Sequence, residues 1–273
     1  SPLGLPAPFG GLLPPHPREL LVLPSTTRGT SVRDPVEIRV TEEYREVTYL
    51  DQVQLWAIDH APGHTIVPAG GAGVSEPPRL VALERLLAPI RATSGSGEVV
   101  TRALAASDGA MTRPPMGPVQ GLAADSLVLE FEGVPSGRPV WLLLEGLVYW
   151  TDSGINTALA QTRPHLLSPP ALEVLEADGT FRPVAFPLPF PAGRTKTALF
   201  LLPRSLIKPR LALRLRSTMR FFWDRIALGI ESPGSVAILK RYPVASLVRP
   251  VPLSRLGPDP SEPPWSLDPA HPM

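Results

Sequence analysis

LALRLRSTMRFFWDRIALGI, residues 211–230, decides the fold by its phase. Up to Phe221 the apolar side chains Leu211, Leu213, Leu215 and Phe221 occupy odd positions, and Arg214, Arg216 and Arg220 occupy even ones. Beyond it Ile226, Leu228 and Ile230 move the apolar phase to even positions. Successive side chains of a strand face opposite sides, so a one-residue change of phase demands a bulge, a bend or a turn near residues 222–225. Trp223 and Phe221 sit beside that change, and at least one of them is expected deep in the core.

Working outward, the same period of two recurs. Leu127, Leu129 and Phe131 alternate with Val128, Glu130 and Glu132, and residues 140–150 form a nearly continuous apolar strand. A strand apolar on both faces reads as a central strand whose second side is also covered, by a loop or an arm. Residues 172–175, 181–186 and 197–202 add three strands, the first two joined as a hairpin by Asp178-Gly179. Upstream, residues 36–40 and 47–58 alternate as strands. At 79–87 the apolar positions 80, 83, 86 and 87 leave helix and strand in competition, with prolines at 77, 78 and 89 limiting the length. Residues 91–121 turn to Ser, Gly, Pro and Met, with a turn signal at Asp108-Gly109. Eight to ten short strands without strand–helix alternation predict an all-β chain, an antiparallel β-sandwich of jelly-roll type.

Composition agrees. The 37 prolines and 22 glycines among 273 residues exceed one residue in five, against a usual share of roughly 12 %. Proline lacks an amide donor and clashes with a helical predecessor, so this density excludes a helical bundle. The 26 basic and 25 acidic residues balance, which removes any global field for nucleic acid. Without cysteine there is no disulfide framework, thiol nucleophile or thiolate metal site. No apolar run reaches the roughly 20 residues of a transmembrane helix. Ser1 in place of Met points to a processed start or to sequence upstream.

Three parts follow from these patterns: a Pro-rich arm over 1–32, a β-sandwich body over 33–231, and a Pro-rich C-terminal arm over 232–273. Phe9, Leu12 and Leu13 in the first arm, and Trp265 in the last, are the apolar groups expected to meet a partner surface. Two clusters could hold a ligand. Asp59, His60 and His64 surround a Pro-Gly turn and are the one local set of metal-compatible side chains, with a strand-end turn as the alternative reading. Trp150, Asp152, Ser153 and Asn156 follow the most apolar strand, where an aromatic platform beside oxygen ligands suits a sugar or a structural calcium ion; otherwise they line a tight loop. The arginines at 214, 216 and 220 are expected to pair with glutamates across a solvated sheet face. No nucleophile elbow, His-Glu-x-x-His or phosphate-binding loop is present in the sequence.

The stretches EVTYLDQVQLWAIDH (46–60), WTDSGINTALAQ (150–161), PPALEVLEADGTF (169–181), FPAGRTKT (190–197) and LRLRSTMRFFWDRIALG (213–229) carry a resemblance. They are similar to the C-terminal module of large bacterial exported proteins with integrin-like or UnbV-like propeller repeats, or tetratricopeptide repeats. That resemblance implies an exported, multi-domain setting and a module without catalytic activity; the expected location is periplasmic or extracellular, with any membrane association made through a partner. The expectation is therefore a non-catalytic accessory or scaffold subunit, docked to other protein subunits through its arms and needing no cofactor. The alternative is a carbohydrate-binding β-sandwich module.

Overall fold

The computed structural model describes residues 20, 22, 54–70, 79–117, 119–149, 153–162, 166, 168–185, 187–191, 195–234, 236–243, 248–250 and 265–267. The strands, in chain order, are β1 (Gln54–Asp59), β2 (Thr65–Ala69), β3 (Arg79–Leu87), β4 (Arg91–Ser94), β5 (Leu122–Glu132) and β6 (Val140–Val148). A helix α1 (Ser153–Thr162) precedes β7 (Ala171–Leu175), β8 (Phe181–Ala185), β9 (Lys196–Leu201), β10 (Arg210–Met219) and β11 (Phe221–Glu231). The last three strands are β12 (Ala237–Pro243), β13 (Val248–Pro250) and β14 (Trp265–Leu267).

The chain divides into two compact units, the larger containing residues 60–236. In it two five-stranded sheets form, ordered β2-β3-β11-β6-β9 and β4-β5-β10-β7-β8. Every pairing is antiparallel, and the pairs nest: β3 with β11, β5 with β10, β6 with β9, and β7 with β8. Nested pairs are what a long hairpin makes when it is rolled up. The contacts of β11 with β6 and of β10 with β7 then lay the roll out as two sheets. This is jelly-roll topology, with β2 and β4 added at the edges. The phase change in residues 211–230 has two parts. The chain leaves one sheet at Arg220 and enters the other at Phe221, and a bulge between Trp223 and Arg225 then moves the core face from odd to even positions. Both aromatics are buried, Phe221 and Trp223 stacking with ring centroids 4.6 Å apart.

Between the sheets lies the main core. Leu129, Phe131, Leu172 and Leu213 of one sheet meet Leu142, Leu144, Ile226 and Leu228 of the other. The sheet containing β6 has a second core on its far side, made of Val67, Ala69, Val81, Leu83, Trp141, Leu143 and Leu199. Among the described residues the sheet's own curvature closes over that face: Cα atoms of its edge strands β2 and β9 approach within 8 Å of each other. Small residues permit the curl. A Cβ on Gly229 would lie 2.6 Å from a Leu83 methyl, and one on Gly146 would run into the Phe222 carbonyl at the bulge. Residues 79–87, ambiguous in sequence, are strand because alternate side chains must fill this second core. Prolines sit where a missing amide is tolerated, Pro68 on edge strand β2 and Pro183 on edge strand β8.

The predicted hairpin at Asp178-Gly179 is present: Gly179 has φ 84°, and the Thr180 hydroxyl and amide both donate to the Asp178 carboxylate. In the smaller unit β1 pairs with β12, and β13 with β14. Sequence reading had placed residues 54–59 in the body, and residues 237–243, 248–250 and 265–267 in an arm without sheet of its own. Phe9, Leu12 and Leu13, and the strands expected at 36–40 and through residue 53, lie outside the described residues. Trp265 is known here only as a backbone position in β14.

Candidate functional site

An open cleft of about 1130 Å³ lies at one end of the β5–β10–β7 sheet. Its floor is the start of β5 (Asp125, Ser126, Leu127), the start of β7 (Ala171) and the end of β10 (Arg216, Ser217). Its walls come from the long connection between β4 and β5, residues 95–121, which folds back twice. First, residues 97–100 return along β4: Ser94 N–H donates to Glu98 O, Val100 N–H to Ala92 O, and Ala92 N–H to the Thr101 hydroxyl. This return covers the free edge of the sheet that holds β4, β5 and β10, the outer sheet, and carries the chain into a 3₁₀ turn at Thr101–Leu104, anchored by the fully buried Leu104.

Second, residues 107–112 are held against β11. The bulge places Asp224, 4 % exposed, where it accepts from the Gly109 amide at 2.8 Å, the Asp108 amide at 3.3 Å and the Ser107 hydroxyl at 3.4 Å. The single proton of the Ser107 hydroxyl is shared with Glu145, which lies closer at 2.8 Å and whose carboxylate is clamped by Arg225. Thr112 N–H donates to the Trp223 carbonyl, and Trp223 N–H donates to the Thr112 hydroxyl. A buried carboxylate that accepts from two amides and shares a hydroxyl is well compensated, so the wall is attached to β11.

Most oxygens lining the cleft are already engaged. Asp125 accepts from the Gly95 and Ser126 amides, Asp108 from the Ala110 amide, and Ser217 and Thr218 donate to the Ser168 and Leu166 carbonyls. What stays uncommitted, apart from the Glu98 carboxylate, is basic. Arg102 and Arg113 are exposed and have no acidic partner among the described residues, and Arg216 uses one guanidinium nitrogen on Glu173 at 3.2 Å. Apolar side chains share the lining: Val99, 61 % exposed, with Val100, Met111, Pro114 and Pro115.

The arginine face predicted at 214, 216 and 220 divides. Arg214 and Arg216 converge on Glu173 of the neighbouring strand, and Arg214 lies over the Phe181 ring at 3.9 Å. Burial raises the Glu173 pKa, but the hydrogen bonds and charges of the two arginines outweigh it and hold the carboxyl below its ordinary value. Arg220 instead spans the Tyr149 and Phe222 rings and donates to the Pro114 carbonyl, tying the loop to the body.

The two sequence clusters are placed differently. The rings of His60 and His64 each turn a nitrogen to a nearby carbonyl, of Ala61 and Pro62, and Asp59 ends β1. No group of three metal-compatible side chains occurs among the described residues. Ser153 and Asn156 fall in the first turn of α1, where a loop was expected, while Trp150 and Asp152 lie outside the described residues. Sequence reading missed Arg102, Arg113 and Asp224. A signal existed: a connection longer than about 12–15 residues without its own strand is usually functional, and this one carries two arginines.

Compared with protein-family models, characterised proteins and solved structures, the chain matches none. The resemblance to the C-terminal module of proteins with propeller or tetratricopeptide repeats is therefore withdrawn. Tetratricopeptide repeats are pairs of helices, whereas the described body is built of strands and α1 is its single α-helix.

Proposed function

We propose that this jelly roll is a non-catalytic binding module of a larger protein assembly, and that the cleft between the 95–121 connection and the outer sheet is its docking face. The observation that carries this reading is how the cleft spends its polar groups. The Asp108 and Asp125 carboxylates and the Ser217 and Thr218 hydroxyls are engaged with backbone groups, which leaves Glu98 as the one lining carboxylate without a hydrogen bond among the described residues, while Arg102, Arg113 and apolar side chains are exposed. That pattern suits recognition, in which exposed apolar surface is covered and arginine supplies directional contacts.

Size-exclusion chromatography with light scattering, on protein taken from the cells that make it, tests the reading. Wild type and a Leu201→Asp control, altered on an edge strand of the other sheet, should elute in a larger assembly, and Val99→Asp should elute as the free chain. Elution of wild type as the free chain alone, or of all three proteins identically, overturns the proposal.

A further inference from the structure

The cleft is unequal in what it offers. Of its three lining carboxylates, Asp108 and Asp125 are turned onto backbone amides, and only Glu98 lacks a hydrogen bond among the described residues. Against it stand the whole guanidinium groups of Arg102 and Arg113, and the part of Arg216 not used by Glu173. Each guanidinium carries five N–H donors in a planar fork that matches a carboxylate. The free polar capacity of the cleft is therefore mainly donor, and its complement is a molecule rich in anionic acceptors.

Shape and the remaining lining narrow the class. At about 1130 Å³ the cleft exceeds the usual range for a small-molecule site, and it is open to solvent, which leaves room for a segment of chain. No aromatic ring lines it, so the stacking platform that a sugar ring would use is missing among the described residues, whereas Val99, Met111, Pro114 and Pro115 offer apolar contacts of side-chain size. We infer that the cleft takes an acidic peptide segment of a partner protein, its carboxylates held by Arg102 and Arg113 and its apolar side chains laid on Val99 and Met111. The inference rests on the docking-module reading and adds the chemistry of the partner.

Selection from a displayed library of random peptides of about a dozen residues tests it without presupposing a sequence. Wild-type protein should enrich peptides carrying several Asp or Glu residues among apolar ones. Arg102→Glu with Arg113→Glu should weaken binding of the best peptide by about tenfold or more, and added salt should weaken wild-type binding in the same direction. Both arginines are exposed, so the double variant should melt with wild type, and Arg102→Lys with Arg113→Lys should keep part of the affinity. Selection of peptides without acidic bias, undiminished binding by the reversed variant, no enrichment at all, or retention of polygalacturonate in preference to peptide overturns the inference. An assembly that depends on Val99 but selects non-acidic peptides refutes the partner chemistry alone. Absence of the assembly refutes the docking module itself.

Discussion

The two sheets of the jelly roll have five strands each and bury them differently. In the sheet containing β6 both faces are packed, one against the other sheet and one inside its own curl. In the sheet containing β10 one face is core, and the other is a surface of charged pairs such as Arg214 and Arg216 with Glu173, and Arg210 with Glu132. β6 accordingly reads VWLLLEGLV, with no polar alternation, and β10 reads RLALRLRSTM, with Arg210, Ala212, Arg214 and Arg216 on the face away from the core. A two-sided sheet is stabilised by side chains and holds its shape, so it can anchor a loop. A one-sided sheet keeps a surface on which a ligand can be met.

The sharpest way to break this contrast is to remove the centre of the second core. Trp141 is 4 % exposed, its indole N–H donates to Glu231 at 2.7 Å, and Arg79 lies over its ring. Trp141→Ala should cost about 3–5 kcal/mol in denaturant melts, the usual range for emptying an aromatic site in a core. Val128→Ala, on the solvated face of the other sheet, should cost less than about 1 kcal/mol. Equal effects would mean that the far side of the first sheet is a cover rather than a core.

A smaller effect is expected where the two-sided sheet grips the cleft wall. Asp224→Ala leaves the Asp108 and Gly109 amides without their acceptor, while the Ser107 hydroxyl keeps Glu145, and should cost about 1–3 kcal/mol. It should also speed hydrogen exchange at Asp108 and Gly109 while leaving the amides of β5 and β10 protected, since the loop opens and the outer sheet does not. Unchanged exchange at those two positions would show that Thr112 and Arg220 hold the wall without it.

Most of the body was legible in sequence because burial imposes a period. Leu127, Leu129 and Phe131 alternate because one side of β5 faces the core, and the shift between Phe221 and Ile226 announced the bulge. The second core was legible only as an anomaly, the unbroken apolar run of β6, since closure of β2 toward β9 depends on curvature that no local pattern encodes. The cleft was least legible. Arg102 and Arg113 lie eleven residues apart, Arg216 is far from both, and they meet through a connection whose path is set by Asp224, a residue of another strand. Nothing periodic records such a contact. The turn signal at Asp108-Gly109 marked where the connection bends and not what it bends toward.

The smallest predicted effect tests the solvated face by its charge. The Glu173 carboxyl is held below its ordinary value of 4.5 by the balance of burial, which opposes ionisation, against Arg214 and Arg216, which favour it more strongly. A group whose pKa is lower in the folded than in the unfolded chain binds protons more readily when unfolded, so it stabilises the fold where it is ionised in both states. That contribution should be complete above about pH 4.5 and should fade as pH falls through the depressed folded value. Glu173→Gln keeps the side-chain shape but cannot ionise. The variant should therefore melt below wild type at pH 7, and the difference should shrink as the pH is lowered past 4.5. The deficit at pH 7 should stay smaller than that of Trp141→Ala, because water near Arg216 screens the pair and the core beneath it is untouched. A difference that stays constant from pH 7 into the acid range would mean that Glu173 acts through packing alone, and the charged face would then owe its alternation to solubility and not to the strand pairing argued here.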